Sequence, residues 1–89
     1  MENFFERLPR EGAQELEQLS RLAFELREDR RRVLVQYGVA SEDDLLGLIR
    51  LGEIPEHPAY DHYLGARALG SAREAVRIQL RAVMAELGG

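Results

Sequence analysis

Two long amphipathic patterns dominate this sequence and constrain its fold more than any other feature. They cover residues 9–37 and 58–87 of an 89-residue chain. At about 1.5 Å per residue, each helix would be roughly 40 Å long, which exceeds the dimensions of a small single-core domain. Because the two patterns have nearly the same length, we predict that they lie side by side as an antiparallel helical hairpin.

The first pattern has an apolar stripe in which residues recur at alternating steps of three and four, as on one face of a helix. The stripe consists of Leu16, Leu19, Ala23, Leu26, Arg30, Val33 and Tyr37. Arg30 is the exception in this series. An unpaired buried guanidinium is costly, so Arg30 must either extend to water or meet a carboxylate across the interface.

The second pattern carries its own stripe, which consists of Leu69, Ala72, Val76, Leu80, Val83, Met84 and Leu87. Its first two turns do not keep that face, since Tyr60, Tyr63 and Leu64 point elsewhere. Either the helix bends between Gly65 and Gly70, or its start packs on another element. Small residues around 65–75 would permit another helix to approach closely.

Shorter segments complete the layout. Residues 41–51 are predicted to form a short helix that begins at Ser41, a favoured N-cap, and stops at Gly52. Residues 53–57 form a hinge, because prolines at positions 55 and 58 favour extended backbone. Residues 1–8 are predicted to be an N-terminal arm that ends at Pro9.

Chain length favours self-association. A single domain spanning 1–89 withdraws only about 60–65% of its surface from water, and the sequence has no Cys with which to form a disulfide. We therefore predict an all-α protein, a long antiparallel helical hairpin with a short bridging helix, that dimerises into a four-helix-type bundle. The predicted interface consists of Leu16, Leu19, Ala23, Leu26, Arg30, Val33, Leu69, Ala72, Val76, Leu80 and Val83.

Charge argues against nucleic acid and membranes as partners. The formal net charge is −4, and neither a signal peptide nor an apolar span is visible, so we expect a cytoplasmic protein that does not bind membranes. The basic run Arg27–Arg32 is the one cluster that favours a nucleic-acid-associated regulator as an alternative. Acidic neighbours such as Glu28 make a salt-bridged surface the simpler interpretation.

The best candidate for a binding site lies at the hinge and consists of Glu53, Glu56, His57, Tyr60, Asp61, His62 and Tyr63. These side chains suit a protein or peptide contact. A metal or small-ligand site around His57, Asp61 and His62 is the alternative, but the two histidines lie five residues apart, whereas helical metal sites use spacings of three or four. A purely structural role is the simplest interpretation.

No motif points to catalysis. The sequence has neither Cys nor Thr, and no Ser lies in a nucleophile-elbow setting. We therefore predict no catalytic residue, no metal and no cofactor. The predicted function is a non-enzymatic protein–protein interaction module, an assembly or regulatory factor that forms a homodimer and binds a protein partner.

Overall fold

Three helices account for the fold. A computed structural model describes the backbone of residues 4–88 and the side chains of residues 10–88. Over the described residues, α1 (Phe4–Val35), α2 (Glu42–Arg50) and α3 (Glu56–Gly88) are present and no strand occurs. The two long helices pack against each other along their length. The predicted all-α helical hairpin is thereby confirmed.

The hairpin has a constant antiparallel register. Near one end, a Cβ built on Gly12 would lie 2.6 Å from Leu87 Cδ2, so the two helices approach closely there. Midway along, Arg30 lies beside Gly70, and at the other end the Tyr37 hydroxyl contacts His62. As the position in α1 rises, its counterpart in α3 falls by the same amount.

The start of α1 differs from the predicted boundary. The helix runs continuously from Phe4 through Pro9, whereas we predicted that an arm of residues 1–8 would end there. Pro9 is the sixth residue of α1 and lacks the amide that would donate to the carbonyl of Phe5, so the helix continues through this position with one backbone hydrogen bond missing. Residues 1–3 lie outside the described part of the chain.

Two glycines end α1 and α2 in the same way. Gly38 adopts φ +66°, and the amides of Gly38 and Val39 donate to the carbonyls of Val35 and Leu34. Gly52 adopts φ +71° and closes α2 with the equivalent pair of bonds. These are Schellman motifs, in which only glycine adopts the left-handed conformation without strain.

At its other end α2 is capped as the sequence predicts. The Ser41 hydroxyl accepts a hydrogen bond of 3.1 Å from the Asp44 amide, so the helix lies within one residue of the predicted range 41–51. α3 follows after a short connection, and His57 keeps a non-helical backbone with φ −103° and ψ 127°. Regular helix therefore starts at Pro58, the predicted position.

Burial divides the hairpin into two regions. We call residues 30–70 the loop end and residues 10–29 with 71–88 the open half. At the loop end, α2 packs on α3 and adds a third layer, and the buried residues there are Leu34, Leu45, Ala59, Tyr63 and Ala66. In the open half only Val76 and Val83 are buried. Of the two options for the start of α3, packing on the short helix is the one observed, since Tyr63 and Leu45 belong to one core cluster.

Candidate functional site

The predicted binding segment at the hinge does not converge on one site. Glu53, Glu56, His57 and Asp61 are exposed, whereas His62 is half-buried and Tyr63 is buried. His62 and Tyr63 therefore face the interior while the acidic side chains remain in solvent. Within residues 10–88, no group of three His, Asp or Glu side chains lies close enough to hold a metal ion.

His62 and Tyr63 hold the ends of the long helices together. The Tyr37 hydroxyl and His62 Nδ1 form a hydrogen bond of 2.5 Å that joins the end of α1 to α3. Tyr63 stacks on Tyr60 with ring centroids 5.8 Å apart. These contacts give the aromatic members of the segment a structural role, and they leave Tyr60 as the one whose ring is also exposed at the surface.

The predicted interface stripe lies along the seam between α1 and α3. Val76 and Val83 are buried, Ala72 is exposed, and the remaining members are only half-buried: Leu16, Leu19, Ala23, Leu26, Arg30, Val33, Leu69 and Leu80. Each stripe thus faces the other within one chain, yet neither is fully covered. A seam between only two helices leaves its flanks open, since one neighbour cannot enclose an apolar arc wider than about 100°.

Arg30 meets a carboxylate, which is one of its two predicted options, and that carboxylate belongs to the same chain. Its Nε and Nη2 donate to the two carboxylate oxygens of Glu42 at the start of α2, the latter bond measuring 2.8 Å. Such bidentate pairs are strong and fix the geometry of both side chains. Gly70 lies beside the pair, since a Cβ at this position would make an ordinary van der Waals contact of 3.7 Å with Arg30 Cδ.

The pair shifts the titration of both groups. The hydrogen bonds from Arg30 lower the pKa of Glu42, although burial of the carboxylate acts in the opposite direction. The charge of Arg67 lowers the Glu42 pKa further. In return, the Glu42 carboxylate raises the pKa of Arg30. Both groups therefore remain charged at neutral pH.

A cleft beside this pair gathers basic side chains from both long helices. The arginine cleft has a volume of about 500 Å³, and its charged lining residues are Arg27, Arg30, Arg67, Arg73, Glu42 and Glu74. Sequence reasoning found the part contributed by α1, in the run Arg27–Arg32, but missed Arg67 and Arg73. The antiparallel register supplies the missing signal, since it brings residue 70 and its neighbours beside Arg30.

The predicted basic run itself is divided among separate contacts. Arg30 pairs with Glu42, and Arg32 donates to Asp29 at 2.9 Å on the exposed surface. Arg27 lines the arginine cleft. The run therefore does not present one continuous basic stripe of the kind that follows a nucleic-acid backbone.

Comparison with known protein families gives a match over most of the chain. The sequence matches, over residues 3–87, the family described as "Uncharacterized protein MJ0235 family". The chain belongs to the MJ0235 family. No curated protein and no solved structure matches this family member. Over its described residues, the MJ0235-family chain has no helix with the length and apolarity needed to cross a membrane.

Proposed function

We propose that this protein is a non-enzymatic helical interaction module that works as a homodimer, in which two hairpins join their seams into a four-helix bundle. The dimer would present its outer helical surfaces and the exposed hinge residues to a further protein partner. The proposal is supported by the shape of the chain, by the incomplete cover of its apolar stripes, and by the chemistry of the uncovered face.

The observation that carries the proposal is the excess of exposed surface. The chain exposes 6706 Å², whereas a compact monomer of 10.1 kDa would expose about 5,300 Å². A standard protein interface buries about 800 Å² on each partner, so the excess is large enough for one such interface. The excess follows from an elongated shape, with extents of 66 × 17 × 16 Å.

The radius of gyration supports the same conclusion. It measures 18.5 Å, compared with about 12 Å for a compact domain of 89 residues. A chain of this shape has no interior beyond the seam and the loop-end core. Apolar surface along the seam can therefore be buried only by another molecule.

The uncovered face consists of exposed apolar and small residues. Leu22, Met84 and Leu87 continue the stripes at helical spacing and are exposed by 42%, 54% and 39% respectively. Ala72 of α3 is also exposed, and Gly65 lies seven residues earlier on the same side of α3 as Ala72. Small residues at these positions would allow a second helix pair to approach closely.

A second copy is the occupant that fits these features best. A partner hairpin has the same length and the same half-covered stripes, so a two-fold arrangement would bury every stripe along its whole length. Four helices packed around one core would turn the apolar stripes of both hairpins toward a shared interior. The divided Arg27–Arg32 run, in contrast, gives no support to the nucleic-acid alternative.

Sedimentation of the purified protein tests this proposal. We expect a particle of twice 10.1 kDa that dissociates on dilution. Ala72→Glu places a charge on the uncovered face, so it should yield a helical monomer, since the side chain is exposed within the hairpin. The matched control is Ala85→Glu, which makes the same change about 140° round α3 and should remain dimeric. A wild-type protein that stays monomeric at every concentration would contradict the proposal.

A further inference from the structure

The arginine cleft holds more positive charge than its own carboxylates neutralise. Arg30 is paired with Glu42, and the Glu74 carboxylate lies 3.5 Å from Arg81, a residue that does not line the cleft. Three lining arginines remain: Arg27, Arg67 and Arg73. Over residues 10–88, none of these three has a carboxylate within ion-pair distance. Like charges gathered in one place repel one another, so this arrangement needs an explanation in a chain of net charge −4.

Two of these arginines are restricted by contact or burial within the hairpin. Arg67 Nη1 donates to the Tyr63 hydroxyl at 3.4 Å, and its guanidinium carbon lies 5.7 Å from the centroid of the Tyr63 ring. The Nε of Arg73 is buried and has no hydrogen-bond partner. A side chain that is already ordered loses less conformational entropy when it binds a ligand.

We propose that the arginine cleft binds the phosphate group of a small phosphorylated molecule. The guanidinium fork pairs with phosphate oxygens through two parallel hydrogen bonds, and two or more forks can surround one dianion. Four arginines and two glutamates give the cleft a formal charge of +2, which matches a phosphate monoester. The Ser71 hydroxyl, which also lines the cleft, is a further donor.

The dimensions favour a small molecule over a nucleic acid. A volume of about 500 Å³ lies within the range of roughly 300–1,000 Å³ that is typical of small-molecule sites. A nucleic acid would need basic side chains spread along many phosphates, whereas here they meet at one recess. All lining residues come from one chain, so the site does not depend on the proposed dimer.

Binding is tested with inorganic phosphate and pyrophosphate, titrated calorimetrically at constant ionic strength. We expect saturable binding of one ion per chain to the wild-type protein. Arg27→Gln and Arg67→Gln should each weaken affinity about tenfold or more, because each removes a charge-assisted hydrogen bond to the ion. Arg27 is exposed and Gln is a good helix former, so the first variant should keep its fold. Circular dichroism checks that both variants keep the helical fold.

The matched control is Arg77→Gln, which removes the same charge from an exposed position of α3 outside the cleft and should leave affinity unchanged. Absence of saturable binding, or equal weakening by Arg77→Gln and Arg27→Gln, would overturn the proposal. Binding of a mixed DNA or RNA pool without any binding of phosphate or pyrophosphate would also overturn it. Because all lining residues come from one chain, the result of this titration and the oligomeric state found by sedimentation test the two proposals separately.

Discussion

The loop end and the open half are built from the same two helices, but only the loop end has a buried core. At the loop end, Leu45 is fully buried and Leu34 is 3% exposed. In the open half, no residue of α1 from 10 to 29 is buried, and Phe24 is 58% exposed. The apolar stripes continue through both regions, so the stripe itself does not account for the difference.

The difference comes from the third helix. α2 is only nine residues long, yet it covers one side of the seam, and its bidentate pair between Glu42 and Arg30 fixes it against the end of α1. Where α2 ends, each long helix has a single neighbour. An amphipathic stripe therefore specifies which face is buried, whereas the number of neighbours decides how completely it is buried.

The largest expected effect that tests this contrast concerns Leu45. Because its side chain is fully enclosed, Leu45→Ala should leave a cavity and lower the free energy of unfolding by about 2–5 kcal/mol. Leu19→Ala makes the same change in the open half, where the side chain is only half-buried, and should cost markedly less. Urea unfolding of the monomeric Ala72→Glu background measures both. Equal losses at the two positions would show that the open half is as well packed as the loop end.

Most of the fold could be predicted because it follows from local patterns. The two stripes predict the hairpin, Ser41 predicts the start of α2, and Gly52 predicts its end. The start of α1 could not be predicted from Pro9, because α1 continues through this proline although proline usually marks a helix boundary. The choice between a bend and packing on α2 required the tertiary arrangement, which places Tyr63 in the core.

The candidate sites were less predictable for a related reason. Residues 53–63 are close in sequence, but the helical turn sends His62 toward Tyr37 while Asp61 remains in solvent. Arg67 and Arg73 are distant from Arg27 in sequence, and only the antiparallel register brings them to one cleft. Proximity in sequence therefore suggests a single site at residues 53–63, where the structure does not form one. It gives no indication of the arginine cleft, whose residues are far apart in sequence.

An intermediate effect is expected at the ion pairs, which differ between the two regions. The Glu42 side chain is only 17% exposed, whereas that of Glu74, which lies 3.5 Å from Arg81 in the open half, is 57% exposed. Glu42→Gln should lower the free energy of unfolding by about 1–3 kcal/mol, because it leaves Arg30 without its charged partner. Glu74→Gln should change it by less than about 0.5 kcal/mol, as is usual for solvent-screened pairs.

The pH dependence sharpens that comparison. Folding lowers the pKa of Glu42 below its ordinary value of 4.5, so the unfolded chain binds the proton more readily. The stability that the pair contributes is thus fully present above about pH 4.5, and it is lost as pH falls through the folded-state pKa. The difference in melting temperature between wild type and Glu42→Gln should shrink across that acid range. A difference that stays constant to the lowest pH would mean that the charge of Glu42 does not stabilise the fold.

The smallest expected effect distinguishes a glycine on the uncovered face from one in α2. Gly65 and Gly47 both lie within helices, and a Cβ built on either meets no atom within 4 Å. In the isolated hairpin, Gly65→Ala and Gly47→Ala should each raise the free energy of unfolding by up to about 1 kcal/mol, since alanine loses less backbone entropy in a helix.

The effects of Gly65→Ala and Gly47→Ala on the free energy of unfolding should differ once the protein dimerises. Gly65 lies on the same face of α3 as Ala72, so an added methyl group would hinder close approach of a second hairpin. Gly47 belongs to α2, outside the two long helices whose stripes form the proposed interface. In urea unfolding, the stabilisation by Gly65→Ala should therefore decrease as the protein concentration rises, whereas the stabilisation by Gly47→Ala should stay the same. Equal gains at all concentrations would mean that the two uncovered faces do not meet through their small residues, and the geometry of the proposed bundle would have to change.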